Sequence, residues 1–598
     1  MDIFRELCAL REAMEGIELE QAQALAAVSR RYSNSARNLL HFIALSRIDH
    51  SELMQALRER GLCSLAGCDA HLMASVTAVV HALRLLEGLP QDPPSSLAEE
   101  GPNMQQGLEM IQTHCNLLFG PHHGPEAVTI MVTIPAEAAH HPSLIQDLVE
   151  AGMTIARINC AHDTPEIWQA LVEKVRAAER RTGRACRIAI DLAGPKLRTG
   201  ALPTLPGVIR ARPRRDRLGR LLEPTRILLL ADEPLHGKEP EDTVVVPVCG
   251  TQWQQLVEGD QLHGCDASGR RRRLSVIAAH PQGLLVSSSQ LCHFVAGLVF
   301  EQPGGTARVV VSDLPPCPGE LRLHRGDRLR LTASASTGPL AIRCTLPQVF
   351  ADVRPGERVL FDDGRISGVV LEVCAEDLLV EITVARSRGS RLRAEKGINF
   401  PDTHLHTPAL TAKDMADLSF ATAHADMLSY SFVHSENDIE ALHTALVSSG
   451  REDLAVILKI ETRQAFINLP SLLLAAMRYP VPLGVMIARG DLAIECGWEP
   501  LAEIQEVILR ICEASHVPCI WATQILEEMA RHGTPTRAEI TDAAMGARAE
   551  AMMLNKGPNI TETVRTLHTI MRHKQSTRHG VLRPSALLKA CLSLRSTC

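Results

Sequence analysis

The sequence predicts an α/β fold: a (β/α)8 TIM barrel of eight parallel strands, interrupted after its third strand by an all-β lid domain and preceded by an α-helical N-terminal region. Three observations carry that prediction. Eight short apolar runs of buried-strand type alternate with amphipathic helical stretches. They fall in two blocks that together span about 250 residues, the usual size of such a barrel. Between the blocks lies a long tract rich in β-branched residues, arginine and turn signals, which reads as β structure.

Residues 1–90 read as helices, because NLLHFIALSRI and SELMQALRERG repeat apolar residues at three- and four-residue spacing, and Gly61 follows as a stop. The stretch GLPQDPPSSLAEEGPN opens a linker placed at 91–124. The first barrel block, 125–200, holds strands expected at 128–134, 154–159 and 187–192. The second, 396–575, holds strands expected at 425–432, 454–461, 483–488, 518–523 and 551–555, and 576–598 is a C-terminal tail. A doubly wound sheet is the structural rival, but no G-x-G-x-x-G turn follows any of these strands.

The lid insertion, 201–395, contains a repeat. GDQLHGCDASGRRRRLSV (259–276) and GERVLFDDGRISGVVLEV (356–373) begin with Gly-acid, carry an Asp at the same point and end in apolar-x-Val. A duplicated β module explains this. The second copy keeps DDG and returns directly to the barrel, which makes it the better candidate for a working lid. The run Arg270–Arg273 is the one dense basic tract, expected on a solvated edge strand.

A formal charge of -7, from 62 basic and 69 acidic residues, argues against nucleic acid as the main partner. Seventeen cysteines are scattered, with no C-x-x-C pair, and fit reduced core thiols better than a disulfide framework. MDIFRELCALREAMEG carries acids among its apolar residues, and no run of about twenty apolar residues occurs. A soluble cytoplasmic protein with no membrane partner is therefore expected.

In a (β/α)8 barrel the reactive groups lie at the C-terminal strand ends. The second strand end offers Arg157, Asn159 and His162, and the third Asp191, Lys196 and Arg198. The fifth offers Lys459 and Glu461, the sixth Arg489, Gly490 and Asp491, and the seventh Thr523 and Gln524. Glu461 and Asp491 are paired carboxylates suited to a hard divalent ion that keeps waters and binds substrate phosphate, as Mg2+ does. Arg157, Lys459 and Arg198 supply the positive charge that a phosphoryl group in transfer needs. Together these groups point to phosphoryl transfer.

The stretches AGMTIARINCAHD, DLAGPKLRTG, ILKIET, MIARGDLAIE and ATQILEEMARHGTPTRAEITDAA, with KGINFPDTHLHTPALTAKD returning from the lid, resemble the pyruvate kinase family over about 125–200 and 310–575. The resemblance implies transfer of the phosphoryl group of phosphoenolpyruvate to ADP. It implies that Glu461 and Asp491 hold Mg2+, with Mn2+ as an alternative, and that the backbone of Gly490 and Asp491 faces the substrate carboxylate. By the same resemblance Lys459 bridges to the transferring phosphoryl group, Arg157 clamps phosphate, Thr523 sits beside the carbon that is protonated, and Arg198 approaches the nucleotide phosphates.

Many members of that family bind K+ through an Asn, a Ser, an Asp and a Thr carbonyl, with a Glu close by. This sequence keeps Asn159 and Asp191 but has Ala161, Leu192 and Lys196 at the other three positions. The Leu-with-Lys combination is similar to that of potassium-independent members, so Lys196 is expected to replace the ion and K+ not to be required. The rival role for Lys196 is a surface charge paired with Asp191.

Four departures stand beside the resemblance. TIPAEAA lacks the family's first-strand glycine, and Asn555, Lys556, Gly557 and Pro558 replace its Ser-Gly-Glu-Thr. Only about two dozen residues follow the last barrel helix, so the family's C-terminal domain and its sugar-phosphate regulation are expected to be missing. The N-terminal helices and the extra lid module are additions. A homo-oligomer smaller than the family's tetramers is left open. Two rival functions are a phosphoenolpyruvate-dependent transferase with another acceptor, and a catalytically silent metabolite-binding scaffold.

Overall fold

The computed structural model describes residues 2–88, 90, 101–121, 128–141, 143–231, 242–334 and 338–575. Residues 91–100 and 122–124 of the expected linker, 125–127 of the first barrel block and the expected tail 576–598 lie outside the described residues. The chain divides into two compact units, one of Met1–Leu197, Leu346–Thr383 and Gly397–Cys598, the other of Arg198–Thr345 and Val384–Lys396.

In the first unit eight parallel strands close into a barrel: Thr129–Thr133, Ile155–Asn159, Arg187–Asp191, Met427–Tyr430, Ala455–Ile460, Leu483–Ala488, Cys519–Ala522 and Ala551–Leu554. Each expected run holds one of them. The ring shuts where the first strand pairs with the eighth, Thr129 beside Ala551. These sequences form strands because both faces are buried, and continuous Ile, Val, Leu and Met satisfy both at once. Helices between the strands are fixed by local caps: Ser435 and Asp438, and Thr536 and Glu539, form reciprocal capping boxes that satisfy helix-end N–H groups.

The expected linker contains a helix, Met104–Phe119, capped by Asn103 and Gln106. Its Cys115, Leu118 and Phe119 cluster with Met131, Ile155, Ile457, Met486 and Ile520 of the barrel interior. Gly484 permits this contact, since a Cβ there would meet Leu118 at 2.5 Å. One end of the barrel is thus plugged by apolar side chains.

The N-terminal helices dock on the same unit through buried polar groups. The Tyr32 hydroxyl donates to the Val481 carbonyl at 2.7 Å and accepts the Leu483 N–H at 3.1 Å. Asn38 Nδ2 donates to the carbonyls of Asp69 and Ala514, and Arg510 forks onto the Asp69 carboxylate. Among the described residues no helix is long and apolar enough to cross a membrane.

In the second unit a smaller, seven-stranded barrel closes around Trp253, Phe294 and Phe300. The arginine run enters it as strand Arg271–His280, which pairs with Gln261–Cys265 on one side and Gly283–Ser288 on the other. The strand is therefore not an edge. Arg271 and Arg273 remain solvated, but Arg272 turns to the buried Asp266 carboxylate at 2.8 Å, which the four charges in sequence did not disclose. The two repeat segments share a local geometry: Gly259 and Gly356 take φ of +93° and +92°, and each leads into an antiparallel hairpin.

Candidate active site

Asp191 ends the third barrel strand fully buried, at 0% exposure. Strand register sets Asn159 and Ser429 on either side of it. Its Oδ2 accepts from Arg157 Nε at 2.7 Å and from Arg157 Nη2, while Nη1 of the same guanidinium donates to Thr133 Oγ1 at 2.8 Å. Its Oδ1 accepts from Lys459 Nζ at 3.0 Å. Lys459 also lies 3.0 Å from Glu461 Oε1 and donates to Ser431 Oγ at 2.7 Å. Glu461 Oε2 accepts the backbone N–H of Phe432 at 2.7 Å.

Burial alone would raise the Asp191 carboxyl, but the Arg157 and Lys459 cations overcome it and hold the group below the usual carboxylate range. Burial would likewise lower Lys459, yet Asp191 and Glu461 outweigh it and the ammonium is held charged. Glu461 goes the other way: burial, then the like charges of Asp491 and Asp191, push it up against the pull of Lys459. A pair of carboxylates that repel one another in a desolvated site is the donor set a divalent cation relieves. Among the described residues no group of three or more His, Cys, Asp or Glu side chains is arranged around a metal position, so Glu461 and Asp491 are the two carboxylates here that could hold a divalent ion.

Beyond the sixth strand, Arg489–Cys496 begins a helix at once, with Gly490 and Asp491 in its first turn. The Gly490 N–H donates to Thr523 Oγ1 at 2.9 Å. Thr523, Gln524 and Leu526 take left-handed φ of +66°, +57° and +48°, a conformation unfavourable for residues with a Cβ. Arg489 holds this loop: it donates to the Ala522 carbonyl at 2.8 Å and to the Thr523 carbonyl, and forks onto Asp542.

Lys196 does not make the rival pairing with Asp191. Its ammonium donates to Asp491 Oδ1 at 2.6 Å, whereas Asp191 is taken by Arg157, Lys459 and Ser431. Asn159 Oδ1 turns back to the Ala161 N–H at 3.0 Å. Arg157, Asp191, Lys459 and Glu461 thus form one contiguous network, and Lys196, Asp491, Gly490 and Thr523 a second. Arg198 belongs to the other compact unit, where its guanidinium donates to the Glu395 carbonyl at 3.1 Å. Sequence reasoning missed Ser431, Thr133 and Asp542: the two hydroxyls carry no charge, and Asp542 lies well past its strand end, in helix Arg537–Gly546.

A cavity of about 360 Å3 opens beside Lys196 and Phe432 and is walled by Asn399, Thr462 and Glu495. Glu495 accepts from Asn399 Nδ2 at 2.8 Å, and burial pushes its carboxyl up to about 7, from an ordinary 4.5. A raised acid contributes stability that is complete below its unfolded pKa and is lost as pH climbs through the folded value. Glu495→Gln is therefore expected to resist urea better than the parent at pH 8, by roughly 1–3 kcal/mol. Unfolding curves at pH 8 and pH 5 check it, since the advantage must shrink at the lower pH.

The chain matches the family model described as pyruvate kinase, barrel domain, over residues 126–207 and 299–557. The gap in that match, 208–298, falls in the second unit. Among curated relatives, the pyruvate kinase of Geobacillus stearothermophilus is 34% identical over 271 residues, 44% of this chain and 45% of that one. That of Corynebacterium efficiens is 32% identical over 281 residues, covering 44% and 57%. That of Mycobacterium intracellulare is 27% identical over 441 residues, covering 73% and 67%. The chain spans about half the length of the first curated relatives it matches.

Proposed function

The chain belongs to the pyruvate kinase family, and from that premise we propose that it is a cytoplasmic enzyme that transfers the phosphoryl group of phosphoenolpyruvate to ADP, with Mg2+ as its divalent ion. The observation that carries this reading is the buried Arg157–Asp191–Lys459–Glu461 network at the open end of the barrel, adjoining Asp491 and Thr523.

Lys459 stays charged at neutral pH and so presents a fixed cation to the phosphoryl group, with no reorganisation needed as charge moves. Asp191 orients both Lys459 and Arg157, leaving Arg157 to hold a phosphate oxygen. Glu461 and Asp491 would hold Mg2+, which when bound offsets phosphoryl charge. The first turn of helix Arg489–Cys496 offers its positive end to the substrate carboxylate. Thr523 Oγ1 already accepts the Gly490 N–H, so its own hydroxyl hydrogen is free to turn to the carbon that gains a proton.

We further propose that K+ is not required. The supporting geometry differs from a simple replacement beside Asp191: Lys196 brings its charge to Asp491 Oδ1, on one of the two carboxylates that would hold Mg2+. Pyruvate release from phosphoenolpyruvate, ADP and Mg2+, run in parallel with K+ and with tetramethylammonium, tests both parts. Equal turnover supports both. Turnover only with K+ removes the role given to Lys196, and none in either buffer removes ADP as acceptor.

A further inference from the structure

The loop between helices Ser51–Glu59 and Leu72–Glu87 folds tightly, with left-handed φ at Gly61, Leu65 and Gly67. That path brings Cys63 Sγ to 3.6 Å from Cys68 Sγ. Cys63 is exposed and Cys68 buried, and both are free thiols. Closing from this separation to the roughly 2.05 Å of an S–S bond needs only a small side-chain or loop adjustment. The residues that follow anchor the N-terminal helices: Asp69 receives Arg510, and the Ala70 carbonyl lies 2.8 Å from His516 Nε2.

We propose that Cys63 and Cys68 are a redox-modification site that closes to an intramolecular disulfide by exchange with a small disulfide of the glutathione type. The exposed Cys63 attacks first. Burial pushes the Cys68 thiol up to about 11, so it is a poor initial nucleophile. The Cys63 thiolate takes one sulfur of the oxidant and expels the other as a thiolate. The Cys68 sulfur then attacks Cys63 Sγ, breaks the mixed disulfide and expels the second thiolate, while both cysteine protons pass to the departing thiolates through water. Two protein thiols lose two electrons and one small disulfide gains them, which balances the step. The ring closes immediately ahead of Asp69, so oxidation fixes the segment that presents Asp69 and Ala70 to the barrel.

The test uses the full-length protein treated with excess oxidised glutathione, alkylated and digested with trypsin. Both cysteines fall in the peptide Gly61–Arg84. The expected result is an unalkylated peptide lighter than its reduced form by two hydrogens, restored by dithiothreitol, and in Cys68→Ser a stable glutathione adduct on Cys63. Alkylation of both cysteines in the treated parent protein, or a glutathione adduct persisting on its Cys63, would overturn the proposal. Neither readout depends on activity.

Discussion

Lys459→Met is expected to lower turnover with phosphoenolpyruvate and ADP by roughly a thousandfold or more while the protein remains folded. Methionine fills much of the same space, so the change removes charge more than volume. What remains is telling: Asp191 keeps Arg157, so the hub is not left bare, and Glu461, already pushed up by burial and by Asp491, loses the cation that pulls it down and is pushed further from its charged form. The variant thereby loses the cation proposed to face the phosphoryl group and weakens one of the two carboxylates proposed to hold Mg2+. Both losses fall on the charged transition state, so kcat should fall far more than KM for phosphoenolpyruvate rises. Steady-state kinetics at saturating Mg2+, with near-ultraviolet circular dichroism to verify the fold, decide it. Unchanged kcat in a folded variant would remove Lys459 from the chemistry.

The eight barrel strands were legible because parallel strands buried on both faces are written as continuous apolar runs, and LAVILKIE or LGVMIA leaves little other choice. Helix Met104–Phe119 was not. Its first three turns are mostly exposed and polar, the apolar residues it buries are concentrated in its last turn, and a proline- and serine-bearing tract precedes it. Its cap, Asn103 followed by Gln106, was the available signal. At the site, charged groups on strand ends announced themselves, but their pairing did not. Lys196 stands five residues from Asp191 and 295 from Asp491, yet it chooses the distant partner because barrel closure brings the sixth strand end beside the third-strand loop and because Arg157 and Lys459 already fill Asp191. Ser431 was passed over for the opposite reason: the fourth strand end carries no charge, and a hydroxyl bridging Lys459 and the Leu192 carbonyl has no sequence signature.

Asp191→Asn should cost stability as well as activity, about 3–5 kcal/mol at pH 7. The substitution keeps the shape but removes the one negative charge that Arg157 and Lys459 share, and turns an amide N–H2 toward one of the two cations. Two cations would then face each other in a dry site, with only Glu461 to offset them. The pH dependence separates this from a packing effect. Asp191 has its pKa lowered from the ordinary 3.8, so its contribution is complete above that value and is lost as pH falls through the folded pKa. The parent's advantage over Asp191→Asn should hold flat from pH 5 to 8 and shrink in acid below about 4. Urea unfolding followed by tryptophan fluorescence in a Trp253→Phe background reads the first unit, because Trp168 and Trp521 are buried there while Trp253 lies in the core of the second. A difference of under about 1 kcal/mol at pH 7 would mean that Arg157 and Lys459 are satisfied by water, and the hub role of Asp191 would fall with it.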